Sequence, residues 1–299
     1  MTDYPLSEEV PPPTSAPLRP LPPGAWDNHV HLYGPWNKFS LVPERRHIPP
    51  LATYEQYIDM LDTAGFEHGL IVHGSGSGLN HSVTLDGLRR AEGRLKGIAV
   101  IPTTTSDSEL SALMEAGIVG LRFMNNGRPP SHPAVGMRDL NDFKVFAPRM
   151  RAAGLQAQVF AKCEYIVEAS RDFLSYGVPI VFDHMGLFDV ALGLGHATFQ
   201  SFLRLLKDGD FWVKFSPSQV SKRPGDYADV RPFYDALAEA IPDRIVFGSL
   251  WPSHGNVGHL IDLFDAWTQD ETIRNKVLSS NPGALFSKWA STQTRQLSI

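Results

Sequence analysis

A single (β/α)8 barrel of the α/β class, preceded by an extended proline-rich arm, is the fold this sequence predicts. Three observations predict it. Short apolar runs rich in β-branched and aromatic residues alternate with longer amphipathic stretches, which is the rhythm of βα units around a parallel sheet. The number of such units reaches eight. No Gly-rich dinucleotide fingerprint follows the first run, which favours a closed barrel over an open doubly wound sheet. The length of 299 residues suits one domain of this kind, since such barrels commonly fill about 250 residues.

Residues 1–24 carry many prolines and no apolar periodicity, so they are expected to form an extended or disordered arm; residues 25–299 are assigned to the barrel. The first strand is WDNHVHL (26–32), followed by a helix from Thr53 to Ala64 with Tyr54, Tyr57, Ile58 and Leu61 as its apolar or aromatic positions. The next strands are HGLIVHG (68–74), LKGIAVIP (95–102), VGLRFM (119–124) and LQAQVFA (155–161), and each is followed by a segment readable as a helix. PIVFDHMG (179–186), FWVKFS (211–216) and RIVFGSLWP (244–252) complete the set. Between the last two, Val230 to Ala240 reads as a helix, with Phe233, Leu237 and Ile241 on one stripe. Runs such as PIVFDHM and IVFGSLW are nearly continuous in apolar residues, as strands buried on both faces require.

Composition narrows the function classes. Hydrophobic residues make up 42% and charged residues 20%, an ordinary globular balance that excludes disorder of the whole chain. A net charge of −5 gives no global attraction to nucleic acid or to an anionic membrane, so neither is expected as a partner, and an anionic ligand must be met by a local basic cluster. Cys163 is the sole cysteine, which rules out an intrachain disulfide. The acidic, proline-rich N-terminus is unlike an export signal, and no apolar run approaches the roughly 18–20 residues of a spanning helix, so a soluble cytoplasmic chain is expected. The sequence allows a homo-oligomer.

In a barrel of this kind the site is built from polar residues at the C-terminal ends of the strands. His29 and His31 flank Val30, and period-two alternation points both imidazoles to one side, inward if Val30 faces the helices. Strand six ends in Asp183 and His184; in a regular strand Asp183 would point away from the side that His184 faces. Strand four ends in Arg122, with Arg128 in its loop; strand seven ends in Lys214 and Ser216; strand two ends in His73, with Ser75 just beyond. Neutral imidazole can ligate a metal, protonate a leaving oxygen or polarise a carbonyl, and all three uses stay open. Cationic groups at strand ends are costly unless paired, so either a carboxylated substrate or internal salt bridges supply their partners.

The segments WDNHVHLYGP, PERRHIPP, GLRF, FDHMG, WVKFS and GSLWP, in that order from about Trp26 to the final helix, resemble the amidohydrolase superfamily, and within it the lactone-opening branch associated with degradation of aromatic compounds. That resemblance implies hydrolysis of a small carboxylated lactone with weak or no dependence on metal. It places His29, His31 and His184 around the scissile carbonyl and gives Arg122 and Arg128 the substrate carboxylates. Ser75, Lys214 and His47 of the PERRHIPP segment are further substrate contacts in this reading. Positions that would complete a binuclear metal site hold Arg122 or Met124, Gln158 or Phe160, and Leu250, so no metal cofactor is expected; a single divalent ion such as zinc on His29, His31 and His184 is the alternative. The departure is Leu250, which stands where the family pattern Gly-(Ser/Thr)-Asp-Trp-Pro-His has the Asp that activates water. Leucine cannot accept a proton, which leaves His254 or His184 as the base, or else a reaction that needs no water, such as isomerisation or decarboxylation, or a catalytically impaired binding form.

Overall fold

A computed structural model of the chain describes residues 5–45, 47–125, 136–223, 225–253 and 255–287. Arg128 and His254 lie outside the described residues. Eight strands form one parallel sheet in sequential order: β1 (Trp26–Val30), β2 (His68–Val72), β3 (Leu95–Ala99), β4 (Ile118–Asn125), β5 (Gln156–Ala161), β6 (Ile180–Phe182), β7 (Phe211–Phe215) and β8 (Ile245–Phe247). The helices between and after them are α1 (Tyr54–Ala64), α2 (Ser82–Arg90), α3 (Asp107–Glu115), α4 (Leu140–Ala153), α5 (Cys163–Glu168), α6 (Ser170–Tyr176), α7 (Ala197–Asp208), α8 (Arg231–Ala240), α9 (Val257–Trp267) and α10 (Glu271–Asn275). Among the described residues no helix is long and apolar enough to cross a membrane.

Local chemistry explains where the helices start. Thr53 caps α1 and Ser106 caps α3, each in a reciprocal pair with the residue three further on, Gln56 and Glu109. Both pairs satisfy amide groups that a helix start leaves unpaired. Gly65 ends α1 at φ 88°, a left-handed conformation that costs glycine little.

The strands alternate between two apolar environments. Ile180, Phe182, Phe211, Val213, Phe215, Ile245 and Phe247 face the helices and join the large core, while Val181, Trp212 and Val246 pack together with Leu285. A second small group, Trp26, Leu70, Val72, Ile98, Val119 and Phe286, gathers side chains of β1 to β4. Above these apolar layers the inward positions turn polar, at Gln158, Lys214 and Arg122.

The barrel closes between β1 and the segment after β8. Leu250 N donates to His29 O at 2.9 Å, and His31 N donates to Trp251 O at 3.0 Å. Side chains extend the seam: Asn28 Nδ2 donates to Phe247 O at 2.9 Å, and Asp27 accepts from Ser249 N at 2.9 Å and Ser249 Oγ at 2.6 Å. Asp27 and Asn28 therefore hold the barrel shut under the first-strand histidines.

Two strands end earlier than their apolar runs. β6 stops at Phe182 rather than at residue 186, because His184 (φ 49°) and Met185 (φ 59°) turn left-handed. β8 stops at Phe247 rather than at residue 252, and Leu250 lies at φ 57°. Only the amphipathic pattern, not the hydrophobicity, changes at those points, so the sequence reads straight through them.

The described part of the arm follows the barrel wall. Pro23 O and Pro20 O accept from Ser279 Oγ (2.7 Å) and Arg274 Nη2 (3.0 Å), Ser15 N donates to Asn256 Oδ1 (3.0 Å), and Ser7 O accepts from Trp36 Nε1 (2.8 Å).

Candidate active site

Asp183 lies at the centre of the buried polar cluster. Its Oδ2 accepts from Arg122 Nη2 at 2.9 Å and Nε at 3.2 Å, and its Oδ1 lies 3.0 Å from Lys214 Nζ and 3.4 Å from His29 Nδ1. This corrects the expectation that Asp183 points away. Val181 faces inward, so the period of two brings Asp183 inward as well, and the left-handed His184 then swings its own ring back over the mouth.

Lys214 is fully buried and touches protein on every side. Its Nζ donates to Gln158 Oε1 at 2.6 Å and meets His29 Nδ1 at 3.1 Å. Burial lowers the ammonium to about 8 against the pull of Asp183, so it is protonated at neutral pH. An ammonium has only protons to offer, hence His29 Nδ1 accepts and His29 carries its proton on Nε2. That proton points at His31 Nε2, 3.2 Å away, while His31 Nδ1 donates to Val72 O at 2.7 Å. Lys214, His29 and His31 thus form one directed relay that ends on a backbone carbonyl.

His184 packs beside this relay. Its ring centroid is 4.8 Å from that of His29, and its Nδ1 is 2.9 Å from Ser216 Oγ. The Phe160 ring stands edge-on to His184 at 5.6 Å and lies 5.7 Å beneath the Arg122 guanidinium. Arg122 makes no hydrogen bond through Nη1 to any described residue, and the buried Gln158 Nε2 is likewise without a partner among them. Within the contacting set Arg122, Lys214 and Asp183, two positive charges meet one negative charge. Asp27 exerts a further, weaker pull on Lys214.

The other sequence-predicted residues lie at the edge or outside this cluster. Ser75 opens a short turn after β2 and is half-buried. His47 is exposed, with its ring 6.3 Å from that of Tyr33, which in turn lies 6.1 Å from His31. Sequence reasoning missed Gln158 as the acceptor that anchors Lys214, and Asp183 as the common counter-ion; counting inward positions from Val181 would have found the latter.

Leu250 is only 4% exposed, yet it belongs to none of the three apolar clusters among the described residues. A leucine at φ 57° is a conformational outlier that aspartate and asparagine tolerate better.

Burial shapes the acid response of the fold. Desolvation holds His31 and His73 at about 3 and His29 well below its ordinary value. An imidazole neutral in the fold and free to protonate when unfolded withdraws stability as pH falls below about 6.5. Asp27 acts oppositely: burial raises its carboxyl to about 6, so it adds stability as pH falls from there towards about 4. The buried imidazoles outweigh the one raised carboxyl, and the expected Tm, read by calorimetry, therefore drops between pH 6.5 and 4, with unfolding taking up protons. A flat Tm across that interval would contradict the buried neutral histidines.

The chemistry of the donors decides whether a metal fits. His29, Asp183 and His184 offer one ligand atom each within 4.8 Å of one another, so the set differs from the expected three histidines by Asp183 in place of His31. The Asp183 carboxylate already faces the charges of Arg122 and Lys214, and Lys214 directs a proton at His29 Nδ1. A divalent ion there would meet two cations at hydrogen-bond range and compete for the same lone pairs. His29, Asp183 and His184 are the residues that would hold such an ion, against the charges of Arg122 and Lys214.

Comparison with known proteins gives a consistent result. The sequence model of the amidohydrolase family matches residues 26–288. The chain is 32% identical over 289 residues to 4-sulfomuconolactone hydrolase of Rhizobium radiobacter, covering 91% of this chain and 93% of that protein. It is 28% identical over 284 residues to D-galactarolactone isomerase of Agrobacterium fabrum, covering 91% and 94%. Among solved structures, one from Acinetobacter baumannii, described as a probable 2-pyrone-4,6-dicarboxylic acid hydrolase with citric acid bound, superposes with a TM-score of 0.77 at 27% identity, covering 88% of this chain and 99% of the other.

Proposed function

Because this chain belongs to the amidohydrolase family, as an enzyme with lactone-hydrolysing relatives, we propose that it opens a small carboxylated lactone by hydrolysis of the ring C–O ester bond. The observation that carries this reading is the cation-rich cluster of Arg122, Lys214 and Asp183 beneath the His29–His31 pair. A substrate carboxylate on Arg122 Nη1 and Nη2 supplies the missing anion. The carbonyl then stands over the imidazoles, and the positive charges of Arg122 and Lys214 stabilise the oxyanion electrostatically when water adds. His184, held through Nδ1 by Ser216, exchanges protons with the attacking water and the leaving ring oxygen. The reading needs no metal, because Arg122 and Lys214 supply the positive charge. Citric acid in the Acinetobacter structure is a carboxylated ligand of the same chemical kind.

The test is steady-state turnover of paired lactones with and without a ring carboxylate, using wild type and Arg122→Met. Carboxylated lactones are expected to be preferred, and Arg122→Met to raise KM by about tenfold or more, the loss of one charge-assisted contact. Equal turnover of neutral and carboxylated lactones would overturn the assignment of Arg122.

Leu250 favours a second reading in which the acceptor is a hydroxyl of the substrate itself, so that the product is an isomeric lactone. The fate of solvent oxygen separates the two.

A further inference from the structure

Beside the cluster, between the loops that follow β5, β6 and β7, opens a cavity of about 660 Å³. That is the size of a ligand compartment and far beyond the voids that close packing leaves. Phe160, Leu187, Phe188, Phe199 and Val220 give it an apolar portion of wall beside polar lining residues such as Asn125 and Gln219. The wall is stiff, since Phe188 stacks on Phe233 at 4.4 Å and meets Phe199 edge-on at 5.0 Å. Leu192 stands at the lip with 53% of its surface exposed.

Phe160 connects the cavity to the chemistry, because the same ring that lines it also stands against His184 and under Arg122. A molecule anchored by its carboxylate on Arg122 therefore has this compartment within reach of its far side. The rim decides what that far side is. Lys162 and Lys222 are balanced by Glu164 and Asp189, and Lys222 is already 3.5 Å from Asp189, so the described residues of the rim offer no surplus lysine for a second anion.

We propose that the cavity receives an apolar aryl or alkyl substituent of the lactone, so that the substrate is an amphipathic monocarboxylate with its acid on Arg122 and its hydrocarbon arm against Phe160, Phe188 and Val220. This rests on the lactone reading above and narrows it. Burial of one phenyl or propyl group is the driving force, and its contribution appears in kcat/KM rather than in the chemistry of the ester.

The experiment compares one carboxylated lactone with its phenyl-substituted and propyl-substituted forms, in wild type and in Thr198→Trp, which fills the cavity from a half-buried position on its wall. Wild type is expected to favour the substituted lactones by about 10- to 100-fold in kcat/KM, and Thr198→Trp to reduce that preference to about threefold or less. Leu192→Glu at the exposed lip is expected to reduce it as well, which covers the case that the tryptophan variant does not fold. Binding of 4-phenylbutyrate, which has no lactone ring, is followed in parallel by ligand-observed NMR. Binding of phenylbutyrate that Thr198→Trp or Leu192→Glu abolishes supports the compartment even if no lactone is turned over, in which case only the lactone reading fails. Turnover of lactones with no preference for the substituent, or with a preference that both variants leave intact, overturns the compartment and leaves the lactone reading standing.

Discussion

Leu250→Asp is expected to raise kcat for lactone hydrolysis by about 10²–10⁴, the usual contribution of a positioned general base. The backbone is already prepared for it. Leu250 sits at φ 57°, its amide donates to His29 O at 2.9 Å, and its side chain is buried but shares no apolar cluster. Aspartate suits that left-handed conformation better than leucine, so strain is relieved even as a carboxylate is buried. The check is kcat in wild type and variant at matched pH, with Leu250→Asn as the control that has the shape without the proton acceptor. A rise in Leu250→Asp alone identifies water activation as the step that leucine leaves slow. Equal rates in all three proteins would mean that the base is supplied elsewhere and that position 250 is not part of the reaction.

Asp183→Asn is expected to cost about 3–5 kcal/mol of stability, because it leaves the guanidinium of Arg122 and the ammonium of Lys214 in a dry interior without their shared counter-ion. Lys214 is already lowered to about 8 by burial, and the carboxylate is the main influence holding it up. Without Asp183 the lysine is expected to lose its proton at neutral pH. His29 then no longer meets a fixed donor at Nδ1, and the directed relay to His31 is lost. Activity should therefore fall together with stability, and the double variant Asp183→Asn/Lys214→Met separates the two. Removing both charges should recover most of the denaturation midpoint, read by urea unfolding, while leaving turnover low. Recovery of turnover in the double variant would show that the ion cluster only supports the fold.

Much of this architecture is legible in the sequence because a parallel barrel strand is buried on both faces and reads as an apolar run. Each of the eight runs overlaps a strand, and Thr53 marks the start of α1 as its cap. The pair His29 and His31 was readable for the same reason: Val30 is core, so its neighbours along the strand face inward. What was not legible lies where the chain leaves regular geometry. Runs 179–186 and 244–252 look like unbroken strands, since Met185, Leu250 and Trp251 are as apolar as strand residues, yet left-handed turns at His184 and Leu250 re-aim the side chains. The role of Lys214 was hidden for another reason. From sequence it is a cation at a strand end that a substrate carboxylate could meet, whereas three-dimensional burial encloses it among Gln158, Asp183 and His29 and makes it the residue that fixes a tautomer. Asp27 and Ser249, 222 positions apart, likewise reveal their bond only once the barrel closes.

The most direct test of the account is turnover of a carboxylated lactone in water enriched in oxygen-18, using enzyme purified and assayed in the presence of a chelator. One labelled oxygen in the new carboxylate of each product molecule, at a rate that chelation leaves unchanged, is the predicted result. Unlabelled isomeric product would transfer the reaction to the substrate's own hydroxyl, and turnover abolished by the chelator and restored by zinc would contradict the metal-free cluster of Arg122, Lys214 and Asp183.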